Sequence, residues 1–235
     1  MEKKNKLLEC IKLSKSYDKK QALVDIDITI EGGKIIGLLG RNGSGKTTLI
    51  KLINGLLTAN SGKILFCGKE IGIESKKRIA YLSERSYLES DMRVLEAIQY
   101  FEDFYEDLDS KKAYKLLKEL KIEPKDRLSS LSKGTKEKVQ LILVMSRKAD
   151  LYVLDEPIGG VDPASRDYIL NTILKNYGEN SSVLISTHLI SDIEKVLDEV
   201  IFIDEGKVYL SGEADELRKK HKKSIDEIFR EEFKC

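Results

Sequence analysis

A glycine-rich run at residues 40–47, GRNGSGKT, is the part of this sequence whose residue types and spacing most clearly indicate chemistry. It follows the apolar stretch IIGLL and precedes leucines and isoleucines at helical spacing, so it is predicted to join a buried strand to a helix. Glycines at such a turn let backbone N–H groups approach phosphate oxygens, and the positive end of the helix dipole favours the same anion. The run therefore predicts a nucleotide phosphate site, whose expected contacts are Gly40, Arg41, Asn42, Gly43, Ser44, Gly45, Lys46, Thr47 and Thr48.

Two residues at the end of this run carry the chemistry of the predicted site. Lys46 would supply a positive charge to the outer phosphates, and the Thr47 hydroxyl would join the ligands of a Mg²⁺ ion. A plain glycine turn beside a surface lysine is the weaker alternative, because the run stands between a strand and a helix.

Two adjacent carboxylates end a second apolar stretch, LYVLDE, at residues 151–156. At the carboxyl end of a parallel strand, such groups face a ligand in the crevice beside the phosphate loop. We expect Asp155 to hold Mg²⁺ and Glu156 to orient and deprotonate an attacking water. A strand that simply ends in a charged turn is the alternative for a DE pair considered alone.

His188 follows the apolar stretch SVLIST and is predicted to lie at the same edge of the sheet. From there it could contact the terminal phosphate and keep the water and Glu156 in register. A lone histidine is usually only a polar surface residue, so the prediction depends on its position rather than on its residue type.

The segment LSKGT at residues 131–135 precedes a helical pattern and could be a second anion-binding helix start. Considered alone, it is better explained as an ordinary helix N-cap. Two phosphate-ready helix starts in one chain nevertheless suggest that a nucleotide is held between two copies.

The charges balance almost completely, with 41 Lys and Arg against 40 Asp and Glu in 235 residues. This balance provides no basic field to attract nucleic acid, which we do not expect as a partner. Hydrophobic residues make up 41% of the chain, enough for a folded core, and no run reaches the ~18 apolar residues of a membrane span. Because the N-terminus has no secretory core and no CxxC spacing occurs, we expect a cytoplasmic protein with reduced thiols.

Strand-like and helix-like stretches alternate along the chain, which predicts an α/β fold with a mainly parallel sheet. Short alternating stretches between Leu7 and Ile30 indicate an N-terminal antiparallel β region. We expect a single domain over residues 1–235. Its parts would be an α/β core lobe (1–86 and 150–212), an inserted helical subdomain (87–149) and a charged C-terminal tail (213–235).

Several individual elements are also predicted from apolar spacing and turn residues. Helices are expected from Lys46 to Leu57, from Pro163 to Tyr177 and over residues 189–200, and Asp109 is expected to cap another helix. A hairpin should turn at Glu205-Gly206.

In this order and spacing, GRNGSGKT, LSKGT, LYVLDEP, Gly160-Val161-Asp162 and STH closely resemble the motifs of ATP-binding cassette (ABC) transporter nucleotide-binding subunits. The resemblance covers nearly the whole chain. It implies a P-loop NTPase core, ATP and Mg²⁺ as cofactors, and ATP hydrolysis coupled to transport through a separate integral membrane permease subunit.

The resemblance also implies a homodimer, or a heterodimer with a related cassette, that encloses two ATP molecules. Ser132, Lys133, Gly134 and Thr135 occupy the signature loop, and Ser132 and Gly134 would contact the ATP of the partner. Tyr17 corresponds to the aromatic residue that stacks on adenine, and an exposed strand-end tyrosine is the weaker alternative. Asp162 corresponds to the D-loop that links the two sites, and before a proline it is also a typical helix N-cap.

The sequence departs from the usual family pattern at the signature and after the stretch IAYLS. Lys133 and Thr135 replace a glycine and a glutamine of LSGGQ, while Glu84 stands where a glutamine usually meets Mg²⁺ and the transporter partner. A glutamate there, an LSKG signature and the SIDEIF ending are similar to the bacterial ABC-2 type exporter branch.

The implied function is an ATPase subunit on the cytoplasmic face of the cell membrane, powering export of a drug, an antibiotic peptide or a lipid. A soluble cassette ATPase that acts in assembly, for example of iron–sulfur clusters, is the alternative from a different class. A nucleotide-binding protein with little turnover is a third.

Overall fold

The structure is a computed structural model that describes residues 6–178 and 180–233, so the last two residues of the expected 213–235 tail lie outside it. The strands are β1 Lys6–Tyr17, β2 Lys20–Glu31, β3 Ile35–Leu39, β4 Ser61–Phe66, β5 Lys69–Glu70, β6 Ile79–Leu82, β7 Leu151–Asp155, β8 Ser182–Thr187, β9 Glu199–Asp204 and β10 Lys207–Glu213. The helices are α1 Lys46–Ile53, α2 Ile73–Arg78, α3 Val94–Phe104, α4 Ser110–Glu119, α5 Lys133–Met145, α6 Pro163–Asn176, α7 Ile190–Ile193, α8 Ala214–His221 and α9 Ile225–Glu232.

The larger sheet has six strands in the order β10-β9-β3-β8-β7-β6, and all but β10 are parallel. Every residue of β3, β7 and β8 is buried, which explains why these strands are continuous apolar runs rather than alternating patterns. A second sheet, in the order β2-β1-β4-β5, is antiparallel throughout. The predicted α/β fold, with an antiparallel N-terminal region and a mainly parallel sheet, is confirmed.

Different elements cover the two faces of the parallel sheet. On one face, α1 and the antiparallel sheet pack against strand residues such as Ile36 and Val153. On the other face, α5 to α9 pack against residues such as Tyr152 and Phe202. The central strands therefore lie between two apolar layers, which fixes the loops at their carboxyl ends.

Helices α3, α4 and part of α5 form a third apolar cluster, with members that include Phe101, Leu117 and Ile142. Other residues of α5, such as Leu141 and Met145, belong to the main core. Helix α5 thus connects the helical region to the sheet. The separate cluster supports the division into a core lobe (1–86 and 150–212) and a helical subdomain (87–149), which stays a prediction.

Three local features differ from the predicted elements. Helix α1 ends at Ile53, four residues early, because the Asn54 side chain donates to the Ile50 carbonyl at 2.8 Å and Gly55 takes a positive φ of 62°. Helix α7 ends at Ile193 and is followed by a 3-10 turn over Glu194–Val196, before the chain enters β9 at Glu199. The short helix α2 was not predicted.

The C-terminal segment is more ordered than its charge suggested, because it forms α8 and α9. The Ser224 hydroxyl accepts from the Glu227 N–H at 3.1 Å and starts α9. The apolar side of α9 is buried, and Phe229 packs edge-on against Phe202 of β9 at 5.5 Å between ring centroids. This segment is therefore part of the core.

The hairpin at Glu205-Gly206 and the caps of α4 and α6 agree with the predictions. Asp109 accepts from the Lys112 N–H at 3.0 Å, and Asp162 accepts from the Ser165 N–H at 3.0 Å. Within residues 6–178 and 180–233, no helix combines the length and apolar character needed to cross a membrane.

Candidate nucleotide site

The phosphate loop joins β3 to α1, and two of its glycines, Gly40 and Gly45, stand where side chains would not fit. Gly45 has φ +112°, and a Cβ there would lie 2.7 Å from the Ala22 carbonyl oxygen. A Cβ on Gly40 would lie 2.3 Å from the Ile203 carbonyl oxygen. The loop is therefore packed against β2 and the hairpin of β9 and β10, with the Gly206 N–H donating to the Ser44 carbonyl at 2.9 Å.

The side chain of Lys46 lies along this loop. Its Nζ donates to the Gly40 carbonyl at 2.7 Å and to the Arg41 carbonyl at 3.1 Å. The ammonium group is also 4.0 Å from Glu156 Oε1. Lys46 thus holds a positive charge at the mouth of the loop, beside a carboxylate from another strand.

Strand β7 ends with the two predicted carboxylates in different surroundings. The buried Asp155 accepts from the Ser186 hydroxyl through Oδ1 at 2.6 Å, while its buried Oδ2 has no hydrogen-bond partner among the described residues. The next residue, Glu156, has φ +50°, a left-handed conformation that is uncommon outside glycine. This turn directs the two side chains to different positions.

His188 follows β8 and contacts Glu156 directly. Its Nδ1 lies 3.1 Å from Oε1 and 3.0 Å from Oε2 of Glu156. The carboxylate therefore lies between the imidazole and the Lys46 ammonium. Parallel pairing of β7 with β8 and of β8 with β3 brings together three loops that are far apart in sequence.

Burial dominates the electrostatics of the two innermost charged groups. It lowers the pKa of Lys46, and the carboxylates of Glu156, Asp155 and Glu84 oppose this shift. Burial raises the pKa of Asp155, and the Ser186 hydroxyl opposes that shift. The Thr47 hydroxyl opposes it as well. A bound cation would offset the cost of burying the Asp155 carboxylate with one oxygen unpartnered by any described residue.

A cavity of about 900 Å³ opens above these residues. Twelve of the predicted site residues line it: Tyr17, Asn42, Gly43, Gly45, Lys46, Thr47, Thr48, Glu84, Lys133, Asp155, Glu156 and His188. Its size is that of a ligand pocket for a molecule as large as a nucleotide. The phosphate loop, both carboxylates and the histidine therefore share one cavity.

Three residues of the predicted phosphate run lie outside the cavity lining. Gly40 packs against the backbone of Ile203 on the side of the loop away from the cavity, and Ser44 is buried. Arg41 is exposed and points the other way, with its guanidinium carbon 5.9 Å from the centre of the Phe233 ring.

The other residues expected at the interface with a partner also lie outside this cavity. Ser132 caps α5 by accepting from the Thr135 N–H at 3.2 Å, and Gly134 is open to solvent on the side where a Cβ would stand. Asp162 caps α6. Ser132, Gly134 and Asp162 therefore do not line the cavity, although their neighbour Lys133 does.

Several lining residues escaped the sequence reasoning. Lys136, Glu137 and Gln140 come from α5, one or two turns beyond the signature, and Arg85 follows Glu84. Helical spacing from Lys133 could have indicated the first three. Ser186 does not line the cavity but bonds to Asp155, and only the pairing of β7 with β8 reveals it.

Comparisons with known proteins agree with this geometry. The sequence model of the family described as "ABC transporter" matches residues 23–159. The ABC transporter ATP-binding protein YtrB of Bacillus subtilis (strain 168) is 33% identical over 92% of this chain and 75% of its own. The SkfA peptide export ATP-binding protein SkfE of the same organism is 32% identical over 86% of this chain and 87% of its own.

Among solved structures, an ATP-binding subunit of an ABC transporter superposes with a TM-score of 0.85 at 28% identity. The match covers 96% of this chain and 98% of the other. This chain therefore belongs to the ABC transporter family, as one of the ATP-binding subunits that hydrolyse ATP to drive transport and work with membrane components.

Proposed function

We propose that this subunit powers a separate membrane-spanning exporter, whose cargo is a drug, an antibiotic peptide or a lipid. The catalytic part of this proposal is supported by the position of the Glu156 carboxylate in the cavity. It lies 3.0 Å from His188 Nδ1 and 4.0 Å from Lys46 Nζ. The name of SkfE, a peptide export protein, supports the exporter class.

In this proposal, Glu156 is the general base of ATP hydrolysis. A carboxylate at the carboxyl end of β7 can accept a proton from a water that attacks the terminal phosphate. Lys46 binds the outer phosphates of ATP, and His188 orients Glu156 and contacts the terminal phosphate. The three groups already line one cavity, which supports their acting together.

The residues present fit a Mg²⁺ ion. The free Oδ2 of Asp155 and the Thr47 hydroxyl are oxygen donors, and Mg²⁺ is usually bound by one or two protein oxygens together with nucleotide phosphates. When bound, Mg²⁺ would neutralise charge on the phosphates. Glu84 lines the same cavity and is proposed as a further ligand.

We propose that two such subunits, identical or related, close on two ATP molecules. Ser132 is exposed at the start of α5 and Gly134 follows in its first turn, and backbone N–H groups at a helix start favour phosphate. Lys133 and Thr135 complete that loop, and Asp162 lies where the two subunits would meet. Tyr17 is exposed at the rim of the cavity, where a ring can stack on adenine.

The closed state binds ATP on two sides and the open state on one, so ATP binding favours closure and hydrolysis reverses it. The partner that uses this motion is a membrane permease, and the subunit works at the cytoplasmic face of the membrane. Glu84 is proposed to sense that partner as well as the nucleotide. The near-zero charge supports the absence of nucleic acid as a partner.

A pull-down from the native host tests the transport role. Tagged Glu156→Gln, which should trap ATP, would be purified from detergent-solubilised membranes with ATP present. We expect a stoichiometric protein with several membrane spans to be recovered with it. Lys46→Ala is the matched control, because loss of ATP binding should weaken that recovery.

Recovery of Glu156→Gln only from the soluble fraction, with soluble partners or none, would contradict the exporter proposal. It would favour a soluble cassette with a role in assembly, such as that of iron–sulfur clusters. Cargo and direction belong to the membrane partner, so the co-purified chain would also indicate what is exported.

A further inference from the structure

We propose that Ser186 is a positioning residue for hydrolysis, because its one hydroxyl orients both Asp155 and Glu156. This inference rests on the proposed functions of those two carboxylates. Ser186 is fully buried in β8. This strand pairs with β7, which leads into the two carboxylates, and Ser186 lies opposite Asp155 in the register.

The first contact sets the direction of the Asp155 carboxylate. The Ser186 hydroxyl donates to Oδ1 at 2.6 Å, so this oxygen is occupied within the protein. The other oxygen, Oδ2, is buried and has no hydrogen-bond partner in the described part of the chain. Asp155 lines the nucleotide cavity. The Ser186 bond therefore orients the carboxylate so that Oδ2 can bind a ligand such as Mg²⁺.

The second contact holds the backbone of Glu156. Its N–H lies 3.1 Å from Ser186 Oγ and 3.1 Å from the Ser186 carbonyl oxygen, so one donor is shared by two acceptors of the same residue. Glu156 has φ +50°, a conformation that costs free energy for a residue with a side chain. The contacts to Ser186, with the Gly159 N–H donating to the Glu156 carbonyl at 3.0 Å, hold this turn.

The turn matters because it determines where the Glu156 carboxylate stands. In this conformation the carboxylate meets His188 at 3.0 Å and approaches Lys46 at 4.0 Å. Small errors in the position of a general base lower the rate of reaction more than they affect substrate binding. Loss of the Ser186 hydroxyl should therefore reduce kcat more than it changes the KM for ATP.

Ser182 provides a matched control in the same strand. It is also fully buried, and its hydroxyl likewise makes two bonds, donating to the Glu31 carbonyl at 2.7 Å and accepting from the Lys34 N–H at 3.3 Å. Neither partner lines the nucleotide cavity. Ser182→Ala therefore removes a comparable buried hydroxyl without touching Asp155 or Glu156.

The test compares Ser186→Ala with Ser182→Ala in full-length protein. We expect kcat to fall at least about tenfold in Ser186→Ala, with a KM change of less than about threefold, and little change of either in Ser182→Ala. Binding of a fluorescent ATP analogue without hydrolysis provides a second readout. Ser186→Ala should need a severalfold higher Mg²⁺ concentration to reach half of the Mg²⁺-dependent binding, and should match wild type in EDTA.

Two further variants keep the comparison valid. Ser186→Cys keeps the shape of the side chain with a somewhat larger sulfur atom and only a weak donor, so it should lose activity as Ser186→Ala does, and it replaces that variant if the alanine form does not fold. Ser186→Thr keeps the hydroxyl and should recover part of kcat. Equal effects of Ser186→Ala and Ser182→Ala on kcat and on the Mg²⁺ requirement would overturn this inference, provided that Glu156→Gln is inactive. Full activity of Glu156→Gln would instead overturn the proposed function.

Discussion

Arg147 should be one of the most important single residues for the stability of this fold. It is only 3% exposed and lies just after α5, where the helical cluster meets the parallel sheet. Its guanidinium donates to the Ile79 carbonyl at 2.8 Å and to the Lys77 carbonyl at 2.6 Å. It also donates to both carboxylate oxygens of Asp107, at 3.0 and 3.2 Å, and stacks 3.8 Å from the centre of the Tyr105 ring.

The perturbation is Arg147→Met, which keeps an unbranched apolar stem and removes every donor. Two carbonyls lose their partner at about 1 kcal/mol each. The Asp107 side chain is 24% exposed, so water can solvate it, and we assign about 1 kcal/mol to the lost ion pair rather than the cost of a fully buried charge. The expected loss in the free energy of unfolding is therefore about 3 kcal/mol.

Equilibrium unfolding in urea measures this loss. With an m value of about 3 kcal/mol per molar, the midpoint should fall by about 1 M. Arg78→Met is the control, because Arg78 also pairs with one aspartate, Asp150, but the two side chains are 52% and 39% exposed. That variant should lose about 0.5 kcal/mol. Equal midpoints for the two variants would refute the argument that Arg147 joins the helical cluster to the sheet.

Three further outcomes are expected. Lys46→Met should weaken ATP binding at least about thirtyfold in an equilibrium binding assay, because a cation is lost from the phosphate loop; unchanged affinity would contradict the assignment of the loop. Phe229→Ala should reduce the free energy of unfolding by about 3 kcal/mol or more, since the ring is buried in the core; a loss below about 1 kcal/mol would mean that α9 is not part of it. Burial raises the pKa of Cys10 to about 12, so at pH 8 its thiolate fraction is about one in ten thousand. In a chain with Cys235→Ser, an alkylating reagent at pH 8 should therefore modify the exposed Cys67 and leave Cys10 intact by mass spectrometry until urea is added, and early labelling of Cys10 would contradict its burial.

Local sequence patterns were sufficient to predict most of what forms the candidate site. The phosphate loop and the Asp155-Glu156 pair could be found because each is a short segment beside a fully buried strand. The position of His188 followed from the same reasoning, since parallel strands end at one edge of a sheet.

Features that depend on pairing between distant segments could not be predicted. The bond from Ser186 to Asp155 joins residues 31 positions apart in sequence and depends on the register of β7 and β8. The left-handed turn at Glu156 carries no sequence signal, because the residue is not a glycine.

The C-terminal helices were missed for a different reason. Their composition is dominated by charge, while the few apolar residues, such as Ile225, Ile228 and Phe229, have helical spacing and are all buried. Spacing therefore predicts burial better than average composition does in short charged segments.

Glu156 is proposed to activate the water that hydrolyses ATP. The most direct measurement is the steady-state rate of phosphate release by Glu156→Gln, with ATP binding measured on the same preparation. We predict retained ATP binding and a rate at least about a hundredfold below wild type, because a general base typically contributes 10²–10⁴-fold. Glu74→Gln, which removes an exposed carboxylate on α2, should hydrolyse ATP as wild type does. A Glu156→Gln rate equal to that of Glu74→Gln would contradict the account.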